Sequence, residues 1–165
     1  MSTFIPDRAR RPEPSTSSVE TDAVETDAVE TDAVRTTGRF TYAGWEELPV
    51  GSPDGAPRLA RALVTNTFTG GVEASGTSCA YTIAYTGENV GTYTGMELLT
   101  GSVDGRTGSF VLEESGSFDA GGTTCRFAVV PGSGTGGLTG LGGTGGFTYR
   151  HGETSVAYAF SYRLG

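Results

Sequence analysis

The chain has 165 residues, with 11 Arg, no Lys and 19 acidic residues, so its formal net charge is −8 at neutral pH. Such an acidic chain is unlike a nucleic-acid-binding protein, because phosphate binding needs clustered Lys and Arg. It contains no stretch of about 18 apolar residues, so we expect no membrane partner. The first residues lack the apolar run of a secretory signal, so we expect a cytoplasmic location. The length fits one domain.

Glycine is the most unusual feature of the composition. All 27 glycines lie between Gly38 and Gly165, which is roughly one residue in five there, against about 7% in average proteins. Each glycine inside a helix costs about 1 kcal/mol relative to alanine. This stretch is therefore not an α-helical bundle.

The N-terminal part of the chain differs from the rest. Residues 20–34 are three copies of ETDAV, within a segment rich in Pro, Ser, Thr and charge. A five-residue repeat places its valines on no single face of a helix or strand, so no face of it can be buried. We predict a disordered acidic tail over residues 1–36, or an arm that folds only in a complex, and a β-barrel domain over residues 37–165.

From residue 39 onward, short β-type runs alternate with Gly, Asp and Pro. The dipeptide Asp104-Gly105 is a strong signal for a hairpin. In the last run, large side chains alternate with small ones, and the large ones are Val156, Tyr158, Phe160 and Tyr162. About eight strands at regular spacing predict an all-β fold, a closed antiparallel eight-stranded β-barrel. The interior of such a barrel is filled by side chains or holds one small ligand.

Two carboxylates are predicted to point into this interior. Glu97 lies in a strand otherwise built from Tyr, Leu and Thr, and Glu114 has the parity of the large apolar residues that precede it. A carboxyl group inside a barrel is desolvated and its pKa rises, which suits a general acid or a hydrogen-bond donor. We predict Glu97 and Glu114 as catalytic residues. The alternative for Glu97 is a solvent-facing residue or a structural partner of Arg126.

The other candidate residues do not indicate a hydrolase, a metal site or a nucleotide-binding site. Cys79 and Cys125 have the parity of buried residues, and we expect small hydrophobes more than a disulfide or a reactive thiol. His151, the single histidine, sits in a predicted turn, so we expect no catalytic Cys-His pair and no metal site. The Gly-rich stretch at 132–146 precedes no helix, which predicts a bulged connection and not a phosphate loop. We predict no cofactor.

Aromatic side chains are the remaining signal. They either fill the core or line a pocket, since ligand sites combine apolar walls with a few polar anchors. The predicted ligand-binding residues are Trp45, Tyr81, Tyr85, Tyr93, Phe110, Phe127, Tyr158 and Phe160. The expected partner is a small apolar molecule, and a homodimer is compatible with the sequence.

Three segments carry a resemblance to a known family: GWEELP at 44–49, MELLTGSVDGRTGSFVLEESGSF at 96–118 and VVPGSGTGGLTGLGGTGGF at 129–147. They resemble the small bacterial proteins grouped as domain of unknown function 3224, over about Gly38 to Gly165. The resemblance implies an eight-stranded barrel similar to that of allene oxide cyclase, usually without an assigned reaction. Related barrels include the bacterial spirotetronate and tetramate cyclases, which catalyse [4+2] cycloadditions. This resemblance implies that the small apolar partner is a polyketide-like molecule.

Three functions follow as hypotheses. The first is a cofactor-free cyclase or isomerase of bacterial specialised metabolism, which would hold a flexible apolar chain in a reactive conformation. The second is a protein that binds a small apolar ligand without chemistry, and the third is a structural barrel with a filled interior. A cavity large enough for a ligand separates the first two from the third.

Overall fold

The structure is a computed structural model. It describes residues 33–52, 54 and 57–165. Residues 1–32, which hold most of the predicted tail and of its ETDAV repeats, lie outside the described residues. The first strand begins at Val34, so the last three residues assigned to the tail by the sequence pair with the sheet.

The described residues form nine β-strands. They are β1 (Val34–Val50), β2 (Arg58–Gly70), β3 (Val72–Ala74), β4 (Ser78–Gly87), β5 (Val90–Val103), β6 (Arg106–Asp119), β7 (Gly122–Val129), β8 (Leu141–Arg150) and β9 (Val156–Leu164). One turn of 3-10 helix, Gly136–Leu138, lies in the Gly-rich connection between β7 and β8. The described residues include no helix long and apolar enough to cross a membrane.

Eight of these strands close into a barrel. Each strand pairs antiparallel with its neighbours in the order β1, β2, β4, β5, β6, β7, β8 and β9, and β9 pairs again with β1. The short β3 fits between β2 and β5 beyond the start of β4. The predicted all-β, closed, eight-stranded antiparallel barrel is therefore confirmed.

Side chains alternate between the interior and the surface along each strand, as a pleated sheet requires. The last strand follows the predicted pattern, since Tyr158, Phe160 and Tyr162 are buried and Ala157 is exposed. The Asp104-Gly105 turn joins β5 and β6, and both of its residues have positive φ, as in a type I′ hairpin.

One end of the barrel is packed with apolar side chains. We call it the closed end, because Leu138 of the 3-10 turn, which packs on β6, is fully buried there in the apolar core. Its packed residues include Leu99, Val103, Phe110, Leu112, Phe127, Val129, Leu141 and Phe160. The start of β1 and the β5–β6 turn also lie at this end.

The opposite end, which we call the open end, is less completely closed. Since β9 begins only at Val156, the described part of β1 beyond Phe40 pairs with β2 alone. Tyr42 on β1 and Tyr149 on β8 span this gap, with their hydroxyl oxygens 3.3 Å apart. A β-bulge interrupts β1 between Ala43 and Glu46, where Gly44 has a φ of 68°.

Candidate functional site

The two predicted acids meet inside the barrel. Glu97 on β5 lies opposite Leu112 on β6, so Glu114 is the diagonal neighbour of Glu97 across this strand pair. Diagonal neighbours on one face of a sheet are within reach of long side chains. Both side chains are buried, with 1% and 2% of their surfaces exposed, and an oxygen atom of one carboxyl group lies within 4.8 Å of an oxygen atom of the other.

Glu97 is held as a hydrogen-bond acceptor. Its Oε2 accepts from Asn66 Nδ2 at 2.8 Å and from Thr77 Oγ1 at 2.5 Å. Asn66 and Thr77 also bond to each other's backbone, since Asn66 N donates to Thr77 Oγ1 and Thr77 N donates to Asn66 O. Glu97 Oε2 therefore has two neutral donors as partners.

Glu114 is buried, with its carboxyl group beside that of Glu97. Burial raises the pKa of its carboxyl group to about 9, and the neighbouring Glu97 adds to the rise. Tyr81 donates to Glu114 Oε1 at 3.5 Å, and the thiols of Cys79 and Cys125 approach the same carboxyl group at 3.6 and 3.9 Å. Glu114 therefore carries its proton at neutral pH.

Both cysteines are buried free thiols, which agrees with their predicted parity. Burial raises the pKa of Cys125 to about 12, and burial likewise raises the pKa of Cys79 above its ordinary value. Among the described residues, Cys79, Glu97 and Glu114 bring their ligand atoms within 4.8 Å of one another. Metal ligands must lose their protons, which burial opposes here, so we assign this cluster to hydrogen bonding.

A cavity of about 450 Å³ lies above the carboxyl pair, toward the open end. Its walls are mainly aromatic and aliphatic, and Tyr81 and Asn66 line it while also contacting the two acids. Tyr81 and Asn66 thus connect the cavity to Glu114 and Glu97. The lining residues that carry the argument are Trp45, Asn66, Tyr81, Tyr85, Tyr93 and Phe118.

Four of the eight predicted ligand-binding residues line this cavity: Trp45, Tyr81, Tyr85 and Tyr93. Trp45 does so because the bulge at Gly44 changes the parity of β1, and its ring centroid lies 6.2 Å from that of Tyr81. Arg58 stacks over the Tyr85 ring at 3.7 Å, and the Tyr85 hydroxyl donates to Glu47.

The other four predicted residues lie in the packed core and do not line the cavity. Phe110, Phe127 and Phe160 belong to the closed end, each with 6% or less of its surface exposed. Tyr158 is also in this core, where its hydroxyl donates to the Thr69 carbonyl and accepts from the Val72 amide. These four side chains fill the core, which is the alternative role that the sequence predicts for the aromatic residues.

Several residues of the site were not singled out by the sequence. Asn66 and Thr77 are buried polar residues that hold Glu97, and the parity of Asn66 within the apolar run of β2 was an available signal. His151, placed in a turn as expected, is exposed but lies at the cavity mouth together with Tyr149. The bulge and the strand order bring these residues together. The sequence of a single strand reveals neither the bulge nor the strand order.

Comparison with known proteins shows the family of this chain and a solved structure that is similar to it. One similar structure is the crystal structure of a protein of unknown function from the DUF3224 family, from Shewanella oneidensis MR-1. The two sequences are 30% identical, and the match covers 81% of this chain and 98% of the Shewanella protein. The TM-score of the two structures is 0.65. No curated protein matches the chain. The family model described as "Protein of unknown function (DUF3224)" matches residues 36–162, which confirms the resemblance noted in the sequence. The similarity to cyclase barrels stays a prediction. By both matches, the chain belongs to the DUF3224 family.

Proposed function

We propose that the protein binds a small, uncharged, largely apolar molecule that carries a carbonyl or a similar hydrogen-bond acceptor. The observation that carries the proposal is the position of Tyr81, whose ring lines the cavity and whose hydroxyl contacts the protonated Glu114 behind it. The cavity volume of about 450 Å³ falls in the range of about 300–1,000 Å³ that small-molecule sites occupy.

The polar groups favour a neutral acceptor on the ligand. Burial raises the pKa of Tyr81 far above its ordinary value, so its hydroxyl keeps its proton. Its hydrogen bond to Glu114 is long, at 3.5 Å, and a ligand acceptor in the cavity can replace Glu114 as the partner of this single hydrogen. An anionic group near Tyr81 would lose its water in a cavity whose lining, among the described residues, includes no Arg, so its charge would stay uncompensated. A carbonyl oxygen avoids this cost.

The aromatic walls supply most of the contact area. Tyr93 packs edge-on against Tyr81 with ring centroids 5.1 Å apart, and Tyr85 packs edge-on against Phe118 at 5.3 Å. These ring contacts fix the walls, so a ligand enters a largely preformed apolar site. A flat or folded hydrocarbon body of moderate size suits such a site.

A second candidate function is a cofactor-independent isomerisation or ring closure of such a ligand. The observation that favours it is the connected series Tyr81, Glu114 and Glu97, which places a neutral acid behind the cavity. A hydrogen bond that strengthens as charge develops on a ligand carbonyl lowers the barrier, and confinement of a flexible chain lowers it further. Conversion of a bound polyene or fatty-acid carbonyl compound would separate this function from binding alone.

The test is equilibrium binding of prodan, an aminonaphthyl ketone whose emission shifts to the blue in apolar surroundings. Trp45 is the single tryptophan and lines the cavity, so energy transfer from Trp45 to prodan reports occupancy of this site. We expect saturable binding with one molecule per chain. Tyr81→Phe should weaken it by up to about tenfold, which corresponds to the loss of one neutral hydrogen bond.

Tyr162→Phe is the matched control. Its hydroxyl also donates to a carboxylate, Asp104, at 2.6 Å, but Tyr162 belongs to the packed core and does not line the cavity. This variant should bind prodan as the parent does. Absence of prodan binding, or equal losses in Tyr81→Phe and Tyr162→Phe, would contradict the proposal.

A further inference from the structure

Among the described residues, the exposed large apolar side chains all lie on β1, β2 and β5. Six of these ten, between 41% and 55% exposed, lie on the outer surface of neighbouring strands. We call this set the outer apolar face, and its members are Leu48, Val50, Leu59, Leu63, Met96 and Leu98. In contrast, the described residues of β6 to β9 expose no large apolar side chain.

The strand register makes this face continuous. Val50 on β1 lies opposite Leu59 on β2. Leu63 on β2 lies opposite Ala80 on β4, which in turn lies opposite Met96 on β5. Contiguous exposed apolar surface of this kind marks an interaction site, because monomeric soluble proteins rarely carry it.

The face also carries one positive and one negative side chain close to each other. Glu46 on β1 lies opposite Leu63, and Arg61 on β2 lies opposite Leu48, so Glu46 and Arg61 are diagonal neighbours on the outer surface. Both side chains are exposed. A two-fold axis that runs between them would bring Arg61 of each copy to Glu46 of the other copy, and would bury the surrounding leucines.

We propose that the outer apolar face is the interface of a homodimer, with two reciprocal Arg61–Glu46 ion pairs across a two-fold axis. The partner is a second copy of this chain, because the face is complementary to itself in charge and a two-fold contact uses the same surface on both copies. The face carries Arg61 and Met96, and both residue types are enriched at protein interfaces. The cavity lies inside the barrel and does not depend on this contact.

A charge-swap experiment tests the proposal. Arg61→Glu gives a face with two acidic side chains, and Glu46→Arg gives a face with two basic ones. We expect native mass spectrometry at micromolar concentration to show a dimer for the parent chain and a monomer for each variant alone. An equimolar mixture of the two variants should form a heterodimer, because both ion pairs are then restored with one of them reversed.

Two further variants complete the test. Met96→Glu places a charge on the β5 side of the apolar face and should give a monomer. Arg126→Glu makes the same charge change as Arg61→Glu at an exposed position on β7, outside the face, and should remain a dimer. A monomeric parent chain, dimers of Arg61→Glu and Glu46→Arg that match the parent, or a mixture that stays monomeric would each overturn the proposal.

Discussion

Tyr81 on β4 and Glu114 on β6 meet across the intervening strand β5, because the residue between them in register is Gly95. Without a side chain at this position, the Tyr81 ring lies over the β5 backbone and its hydroxyl comes within 3.5 Å of Glu114 Oε1. The cavity and the carboxyl pair are connected through this contact.

Replacement of Gly95 with alanine should separate the two residues. An added Cβ would lie 2.2 Å from the Ala80 carbonyl oxygen and 2.6 Å from Tyr81 Cδ1, so Tyr81 must move. We expect a loss of about 1–3 kcal/mol in the free energy of unfolding in urea, together with weaker prodan binding. Gly142→Ala is the control, because a Cβ there meets nothing within 4 Å. Equal stability of the two variants would contradict this packing.

The raised pKa of Glu114 makes the stability of the protein depend on pH. In the unfolded chain this carboxyl group loses its proton near pH 4.5, and in the folded chain near pH 9. Between these values the folded state binds one more proton, so its stability falls as pH rises, by up to about 1.4 kcal/mol per pH unit. Below pH 4.5 the group contributes no slope.

Glu114→Gln isolates this contribution from that of the other acids. The amide can still donate to Glu97 but does not titrate. We expect the unfolding free energy of the parent to fall relative to that of Glu114→Gln as the pH rises from 5 to 9. Urea unfolding of both proteins at each pH measures this difference. A difference that is constant over this range would show that Glu114 is ionised in the folded protein.

The hydroxyl group of Thr77 should contribute to the stability of the protein through its hydrogen bonds. Thr77→Ala removes the hydroxyl that donates to Glu97 Oε2 and that accepts from the Asn66 amide. We expect a loss of about 1–3 kcal/mol, because a buried acceptor and a buried donor lose their partner. Thr77→Ser keeps the hydroxyl and should retain most of the stability. The same loss in both variants would assign the effect to the methyl group and not to the hydrogen bonds.

Trp45 should respond directly to a bound ligand. Half of its surface is exposed, and its ring stands beside Tyr81 at the cavity. We expect prodan to protect Trp45 from quenching by acrylamide, and Trp45→Ala to weaken prodan binding more than Trp45→Phe does, since phenylalanine keeps part of the apolar wall. Unchanged quenching in the presence of saturating prodan would place the ligand elsewhere.

The sequence predicts which side chains face the interior but not their height along the barrel axis. Parity alone places Tyr81 and Phe160 inside in the same way, yet one lines the cavity and the other fills the closed end. Height depends on the stagger between strands, which a single strand does not encode. The meeting of Glu97 with Glu114 was within reach, because a two-residue turn at Asp104-Gly105 fixes the register of β5 with β6.

Other features of the site were beyond the pattern of single strands. Trp45 lines the cavity through a bulge at Gly44, and a glycine with positive φ is visible only in the folded backbone. Thr77 reaches Glu97 from the segment before β4, where it follows a bend in the chain. Such contacts depend on tertiary packing, which local periodicity does not describe.

The carbonyl ¹³C chemical shift of labelled acetophenone bound to the protein tests the central claim most directly, because a hydrogen bond to the oxygen moves this resonance downfield. The account predicts a bound signal that lies downfield in the parent and in Tyr162→Phe, and that moves upfield in Tyr81→Phe. A bound signal at the same shift in all three proteins, or no bound signal in any of them, would contradict it.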